Sequence, residues 1–79
     1  MYRIEMTALS PTMDSGIIIE WTVHKGDLVR AGDVLCEVET DVADIELISD
    51  VSGVLLEIVK PKGSKCLVGD VIGTVDDRR

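Results

Sequence analysis

The sequence predicts an all-β domain, a flattened β-barrel or sandwich of two four-stranded antiparallel sheets related by a pseudo-twofold axis. Three observations support this prediction. The chain has 79 residues, enough for one compact domain and too few for two. Aliphatic and β-branched runs of strand length recur between glycine turns. No stretch of ten residues keeps a helical period without an interrupting glycine or proline.

An internal repeat is the source of the predicted twofold axis. Residues 16–39 align without a gap with residues 53–76, at a constant offset of 37 and with eight identities in 24 positions. The turn glycines stay in phase throughout, which two similar halves explain better than chance does. Because strands this short must share one core, two facing sheets are the favoured architecture.

Six strands follow from the pattern of aliphatic residues. The first, residues 3–7, precedes Ser10-Pro11-Thr12, where proline would end strand pairing. The others are residues 17–23, 34–39, 43–48, 54–60 and 71–75. Gly32 and Asp33 are expected to set the turn before the strand at residues 34–39, because glycine allows a positive φ and aspartate caps backbone donors. Gly16, Gly53 and Gly69 are expected to be structural.

The junction between the two halves predicts a tight hairpin. Residues 40–42, Thr40-Asp41-Val42, join two acidic strand segments, and Asp41 favours a turn there. In the other half the chain ends occupy the equivalent place. The hairpin tip is therefore expected at the end of the domain opposite the termini, a geometry suited to delivering something held at the tip.

Charge and composition exclude several function classes. The net charge is −7, and the chain has one Trp, one Tyr and no Phe, so it would repel phosphates and offers little for stacking bases. No apolar run approaches the length of a membrane span. Between Arg30 and Lys60 there are eight acidic and no basic residues. These acids form either a solubilising face or a docking face for a basic partner.

The other reactive residues form no recognisable site. Cys36 and Cys66 lie in apolar contexts and are interpreted as buried reduced thiols, with a disulfide left open. His24 is the only histidine, too few ligands for a closed zinc site, and no motif supports a hydrolytic triad. Alternating acids within residues 37–46 point to opposite faces and lack calcium-loop spacing. We therefore expect no metal.

Five segments in register resemble the lipoyl domain family, part of the biotinyl/lipoyl carrier fold, a barrel-sandwich hybrid. Residues 6–13, MTALSPTM, resemble its opening motif, with Thr7 in place of the usual proline. Residues 25–35, KGDLVRAGDVL, resemble its glycine-aspartate signature, and residues 37–46, EVETDVADIE, its carrier hairpin. Residues 53–58 and 69–75 fit its second half. The resemblance covers nearly the whole chain, residues 1–79 forming one domain with a possible linker start at 77–79.

The resemblance implies a swinging-arm carrier, not catalytic alone, from a 2-oxo acid dehydrogenase acyltransferase of pyruvate or acetoin type. Lipoate on the hairpin lysine would serve a thiamine-dependent decarboxylase and dihydrolipoamide dehydrogenase, after attachment by a lipoate ligase. The hairpin residues implied in recognition are Glu39, Thr40, Asp41, Ala43 and Asp44. The resemblance further implies a bacterial cytoplasmic or mitochondrial matrix location. We expect the isolated domain to be monomeric.

Val42 occupies the position of the carrier lysine. Valine has no amine, so no lipoyl or biotinyl amide can form there, and no lysine lies elsewhere on the hairpin. The hairpin also lacks the methionines expected beside a biotinyl lysine. Three explanations remain open: the site was blocked by mutation, carrier function was lost, or a partner covers Val42. The alternative function is a non-carrier interaction module that uses the acidic hairpin face.

Overall fold

The computed structural model describes residues 1–78, which form two four-stranded antiparallel sheets and no helix, confirming the predicted fold. Arg79, within the predicted linker start, lies outside the described residues. The strands are β1 (Tyr2–Glu5), β2 (Ser15–Trp21), β3 (Leu28–Val29), β4 (Val34–Glu39), β5 (Asp44–Ile48), β6 (Gly53–Ile58), β7 (Lys65–Leu67) and β8 (Val71–Asp76). In residues 1–78 no helix is long and apolar enough to cross a membrane.

The strand order confirms the pseudo-twofold axis predicted from the repeat. One sheet has the order β1-β8-β6-β3 and the other β5-β4-β2-β7, so each strand has an equivalent in the other sheet. The turn glycines also match across the offset of 37: φ is +97° at Gly32 and +99° at Gly69. Asp33 accepts the backbone N–H of Arg30 at 2.9 Å, which confirms its role in the turn that leads into β4.

Two of the eight strands were not predicted from the sequence. β3 and β7 have two and three residues, too few for an alternating pattern to be visible. Tertiary pairing defines them, since β3 lies beside β6 and β7 lies beside β2.

Three strands end two residues before the predicted position, and in each the next backbone N–H donates to a carbonyl outside the regular strand pairing, while the other boundaries agree within two residues. β1 stops at Glu5, beside a register shift, and the Met6 N–H donates to the Asp70 carbonyl at 2.8 Å. β2 stops at Trp21, and the Thr22 N–H donates to the Leu35 carbonyl at 2.9 Å. β6 stops at Ile58, after which two successive N–H groups donate to Ile72.

The core between the sheets is almost entirely aliphatic, as the composition predicts. Its members are Ile4, Met6, Met13, Ile18, Trp21, Val29, Leu35, Cys36, Val38, Leu47, Leu55, Cys66, Ile72 and Val75. Trp21 also donates its indole N–H to the Lys60 carbonyl at 2.8 Å. Such an indole hydrogen bond is the usual way to bury tryptophan without an unpaired donor.

Cys36 and Cys66 are buried free thiols, as predicted. Burial, with a smaller contribution from Cys66, raises the pKa of the Cys36 thiol to about 12. A buried thiol with a raised pKa is an unreactive packing residue.

The chain ends and the β4–β5 hairpin lie at opposite ends of the domain. The Met1 amino group is 3.4 Å from Asp77 Oδ1, so the N-terminus lies beside the residue that follows β8. The other end of β8 begins shortly after Val68, whose N–H donates to the Asp14 carbonyl at 3.0 Å. Asp14 lies in the β1–β2 loop, which contacts the hairpin. A six-residue strand separates these points by about 20 Å.

Candidate functional site

The β4–β5 hairpin turn spans residues 40–43 and is held together by Thr40. The Thr40 N–H donates to the Ala43 carbonyl at 3.0 Å, and the Thr40 hydroxyl donates to the same carbonyl at 2.6 Å. The hydroxyl oxygen lies 3.3 Å from Val42 N and 3.2 Å from Ala43 N, and accepts from both. Threonine thus satisfies the backbone groups that a turn leaves unpaired.

Asp41 connects this turn to the β1–β2 loop. The Ser10 hydroxyl donates to Asp41 Oδ1 at 2.7 Å, and the Thr12 hydroxyl donates to Asp41 Oδ2. Ser10 is buried, while Asp41 and Thr12 are exposed. Both carboxylate oxygens are therefore engaged, and the turn is held from within by Thr40 and from outside by this pair of hydroxyl groups.

The same contacts shift the titration of Asp41. Hydrogen bonds from Thr12 and then Ser10 hold the pKa of the Asp41 carboxyl below its ordinary value of 3.8. Because the folded-state pKa is depressed, the contribution of the contact to stability is complete above the ordinary pKa. It is lost as the pH falls through the lowered value.

A Ser10→Ala/Thr12→Val double variant is therefore expected to raise the pKa of Asp41 back toward that of an unperturbed aspartate. Carboxyl ¹³C chemical shifts followed through an acid titration would measure the change. Single variants serve as controls, and Thr12→Val is expected to have the larger effect of the two because its hydrogen bond contributes most. An unchanged Asp41 titration in the double variant would contradict the described contact.

Val42 stands at the tip with 66% of its surface exposed. Its backbone is fixed by Thr40, but its side chain lies outside the core cluster. An exposed valine gains nothing from burial, and turns favour other residue types. The side chain is therefore exposed at the tip of the hairpin and has no structural role in the core.

The carboxylates flanking the tip belong to an acidic outer face on the second sheet. Glu39 lies directly opposite Asp44, and Glu37 directly opposite both Glu46 and Glu20. Like charges paired across strands are destabilising. None of these five carboxylates has a cationic group within ion-pair distance in residues 1–78.

The twofold-related row in the first sheet shows that this acidity is not required by the fold. There, Arg3 pairs with Thr74, and Thr74 pairs with Glu57. This row carries one positive and one negative charge, whereas the equivalent row of the other sheet carries three carboxylates. Equivalent positions in one molecule thus differ in charge, and the acidic residues lie on the sheet that bears the hairpin.

The residues present do not fit covalent attachment of lipoate or biotin. Residue 42 has no amine, and the four lysines are Lys25, Lys60, Lys62 and Lys65, all outside the hairpin. By strand register Lys65 pairs with Ile17, which pairs with Glu39, so even this lysine lies two strands from β4. Within residues 1–78, no group of three or more potential metal-ligating His, Cys, Asp or Glu side chains comes together.

The structure places the predicted recognition residues at one turn and brings two residues against it that the sequence did not indicate. Glu39, Thr40, Asp41, Ala43 and Asp44 all lie at or beside the turn. Ser10 and Thr12 join them through Asp41, although 31 and 29 residues separate these pairs along the chain. Their position in the MTALSPTM motif was the available signal, but it does not indicate which residue they contact.

Comparison with known proteins places this geometry among carrier domains. A family model, biotin/lipoyl, described as "Biotin-requiring enzyme", matches residues 2–75. The chain is 44% identical over 74 residues to the dihydrolipoyllysine-residue acetyltransferase component of the pyruvate dehydrogenase complex from Zymomonas mobilis, covering 92% of this chain and 17% of that protein. It is 51% identical over 77 residues to the mitochondrial dihydrolipoyllysine-residue acetyltransferase component 3 of the pyruvate dehydrogenase complex from Arabidopsis thaliana, covering 95% of this chain and 14% of that protein.

A solved structure gives the same result for the fold. The lipoyl domain of the 2-oxoglutarate dehydrogenase complex from Azotobacter vinelandii superposes with a TM-score of 0.76 at 25% identity, covering 96% of each chain. The chain thus corresponds to nearly the whole of that solved domain but spans about a sixth of the curated relatives described above.

Proposed function

Because the chain belongs to the biotin/lipoyl domain family, we propose that it is a lipoyl-type carrier domain of a 2-oxo acid dehydrogenase acyltransferase component, in a form to which lipoate cannot be attached. One observation carries the proposal. The hairpin is held from both sides and exposes position 42 at its tip, yet the residue there has no amine.

The acyltransferase assignment is supported by the two relatives above, which are named as components of pyruvate dehydrogenase complexes. The absence of methionines beside residue 42 favours a lipoyl over a biotinyl type. In this family the attached group carries an acyl unit between active sites. A domain tethered within a complex raises the effective concentration of its tip to roughly millimolar.

Each hairpin residue has a defined part in this proposal. Thr40 and Asp41 fix the turn, and Glu39 and Asp44 supply negative charge on either side of it. The partners that would read these features are the thiamine-dependent decarboxylase and the lipoate ligase. Dihydrolipoamide dehydrogenase acts on an attached dihydrolipoyl group, so in this proposal it has no substrate on this chain.

Intact-mass spectrometry after incubation with a lipoate ligase, lipoate and ATP tests the blocked state. We expect no mass increase, because Val42 offers no nucleophile and the four lysines lie off the hairpin. A lipoylatable domain from one of the relatives, treated in parallel, shows that the ligase is active. Any lipoyl adduct on this chain would refute the proposal that it cannot be modified.

A non-carrier interaction module is the second candidate, favoured by the directly opposed acids Glu39 and Asp44. Unneutralised carboxylates that pair across strands have a cost that a basic partner would remove. Binding of a hexalysine peptide is the simplest probe. Neutralising Glu39, Asp41 and Asp44 should abolish binding if the hairpin is the docking face.

The matched control neutralises three other exposed acids, Asp14, Glu57 and Asp77, so that the net charge changes equally. Equal loss of binding in the two triple variants would mean that hexalysine senses overall charge. The second candidate would then lose its support.

A further inference from the structure

A groove of about 460 Å³ lies between β1 and β5, away from the hairpin turn. Its floor is formed by the buried side chains of Ile4, Leu35 and Leu47, which also belong to the core. Ile48, 43% exposed, lies on its wall. The groove therefore has the size typical of binding pockets, an apolar floor and an opening directly onto solvent.

Both walls of the groove are edge strands. Within residues 1–78, β1 pairs with β8 alone and β5 with β4 alone, so each has one side free of strand pairing. Unpaired backbone N–H and C=O groups along an edge can accept a further strand. Each strand has one register shift against its partner, between Ile4 and Glu5 for β1 and opposite Leu47 and Ile48 for β5. β5 has five residues and β1 four, so β5 is the longer template.

The charges around the groove are unbalanced. Glu5, Glu46 and Asp50 line it against a single cation, Arg3. None of the three carboxylates forms an ion pair within the described residues. Glu46 also faces Glu37 across the strand pair, which adds to the negative potential beside β5. A ligand that carries positive charge would relieve this repulsion.

We propose that the groove binds an extended segment of a partner protein in which basic and apolar residues alternate, added as a strand along the free edge of β5. Alternate side chains of an added strand point to opposite sides. The apolar set would lie over the floor, on the side of Leu47, and the basic set on the outer side, beside Glu46 and Asp50. The groove is separate from position 42, so this inference does not depend on lipoylation.

A capped peptide Lys-Val-Lys-Val-Lys-Val, titrated into the ¹⁵N-labelled domain, tests the proposal. We expect the amide shifts to concentrate in β5 and β1, with calorimetry giving the affinity. The charge-reversed peptide Glu-Val-Glu-Val-Glu-Val should not bind. A version with proline at two of the valines should bind at least about tenfold more weakly, because proline cannot donate to a ladder.

Two variants locate the site on the protein. Glu46→Lys is expected to weaken binding about five- to tenfold, since it reverses a rim charge. Glu57→Lys changes the net charge equally at an exposed position on the other sheet and should leave the affinity within about twofold. Ile48 shares the outer face with Glu46, so Ile48→Asn tests its contact with the aliphatic stems of the basic side chains, without a change of charge, and should weaken binding by about fivefold.

Three results would overturn the proposal. Equal weakening by Glu46→Lys and Glu57→Lys would show that the peptide senses net charge. Shifts confined to residues 39–44 would place the basic partner on the hairpin instead. Unchanged affinity of the proline-containing peptide would exclude strand addition. Spectra of the free variants, which should match the parent outside the substituted residue's neighbours, establish that each one is folded.

Discussion

We expect a lipoate ligase to modify the Val42→Lys variant completely and to leave the parent chain unmodified. Residue 42 is 66% exposed on a turn whose backbone is held by Thr40, so lysine can replace valine without disturbing the core. Surface substitutions of this kind change stability by about 0.5 kcal/mol or less. The new amine would stand at the tip, free to react. Intact-mass spectrometry should show a shift of one lipoyl amide in the whole population.

Val68→Lys is the matched control for this gain of modification. Val68 is also an exposed valine, 41% accessible, in the connection between β7 and β8 and outside the hairpin. We expect it to remain unmodified, because the ligase would read the hairpin and not an exposed lysine as such. If Val42→Lys stayed unmodified while folded, the hairpin would have diverged from a carrier site. The interaction-module function would then be favoured.

Leu55→Ala is expected to have the largest effect on stability. Leu55 is completely buried in β6 and is the twofold equivalent of Ile18, which is equally buried in the other sheet. Truncating a buried leucine to alanine costs about 2–5 kcal/mol through lost burial and a residual cavity. A domain of 79 residues has roughly 4–12 kcal/mol of total stability. The variant is therefore expected to lose a large part of its free energy of unfolding.

Leu56→Ala is the control, since Leu56 is the next residue along the same strand but is 37% exposed on the outer face. We expect it to cost less than about 1 kcal/mol. Urea unfolding of both variants, followed by tryptophan fluorescence, measures the two free energies of unfolding. Comparable losses in the two variants would contradict the assignment of Leu55 to the core and of Leu56 to the surface.

The architecture could be predicted from the sequence because the repeat encodes it directly. Residues 16–39 and 53–76 share an offset of 37, and the structure realises that offset as equivalent strands and equivalent glycine turns. β3 and β7 were missed since two or three residues carry no periodic signal and form strands only when a neighbour pairs with them. Three strands end earlier than predicted because tertiary hydrogen bonds compete for the backbone groups beyond their ends.

The hairpin site was predictable in position but not in its contacts. The repeat locates residues 40–42 at the junction of the halves, and Asp41 signals a turn. That the Asp41 carboxylate is held by Ser10 and Thr12 depends on how the β1–β2 loop crosses the domain. The row of Glu20, Glu37 and Glu46 likewise depends on register shifts in two strand pairs. Neither feature can be predicted from the spacing of residues along the sequence.

In our proposal the hairpin tip keeps the geometry of a carrier site and lacks only an amine at residue 42. Reductive acylation of lipoylated Val42→Lys is the decisive measurement for this proposal. The variant would be incubated with a thiamine-dependent decarboxylase and its 2-oxo acid, pyruvate or 2-oxoglutarate, and analysed by intact mass. We expect an acyl adduct with at least one decarboxylase and none without enzyme. A folded, fully lipoylated variant that neither decarboxylase acylates would contradict it.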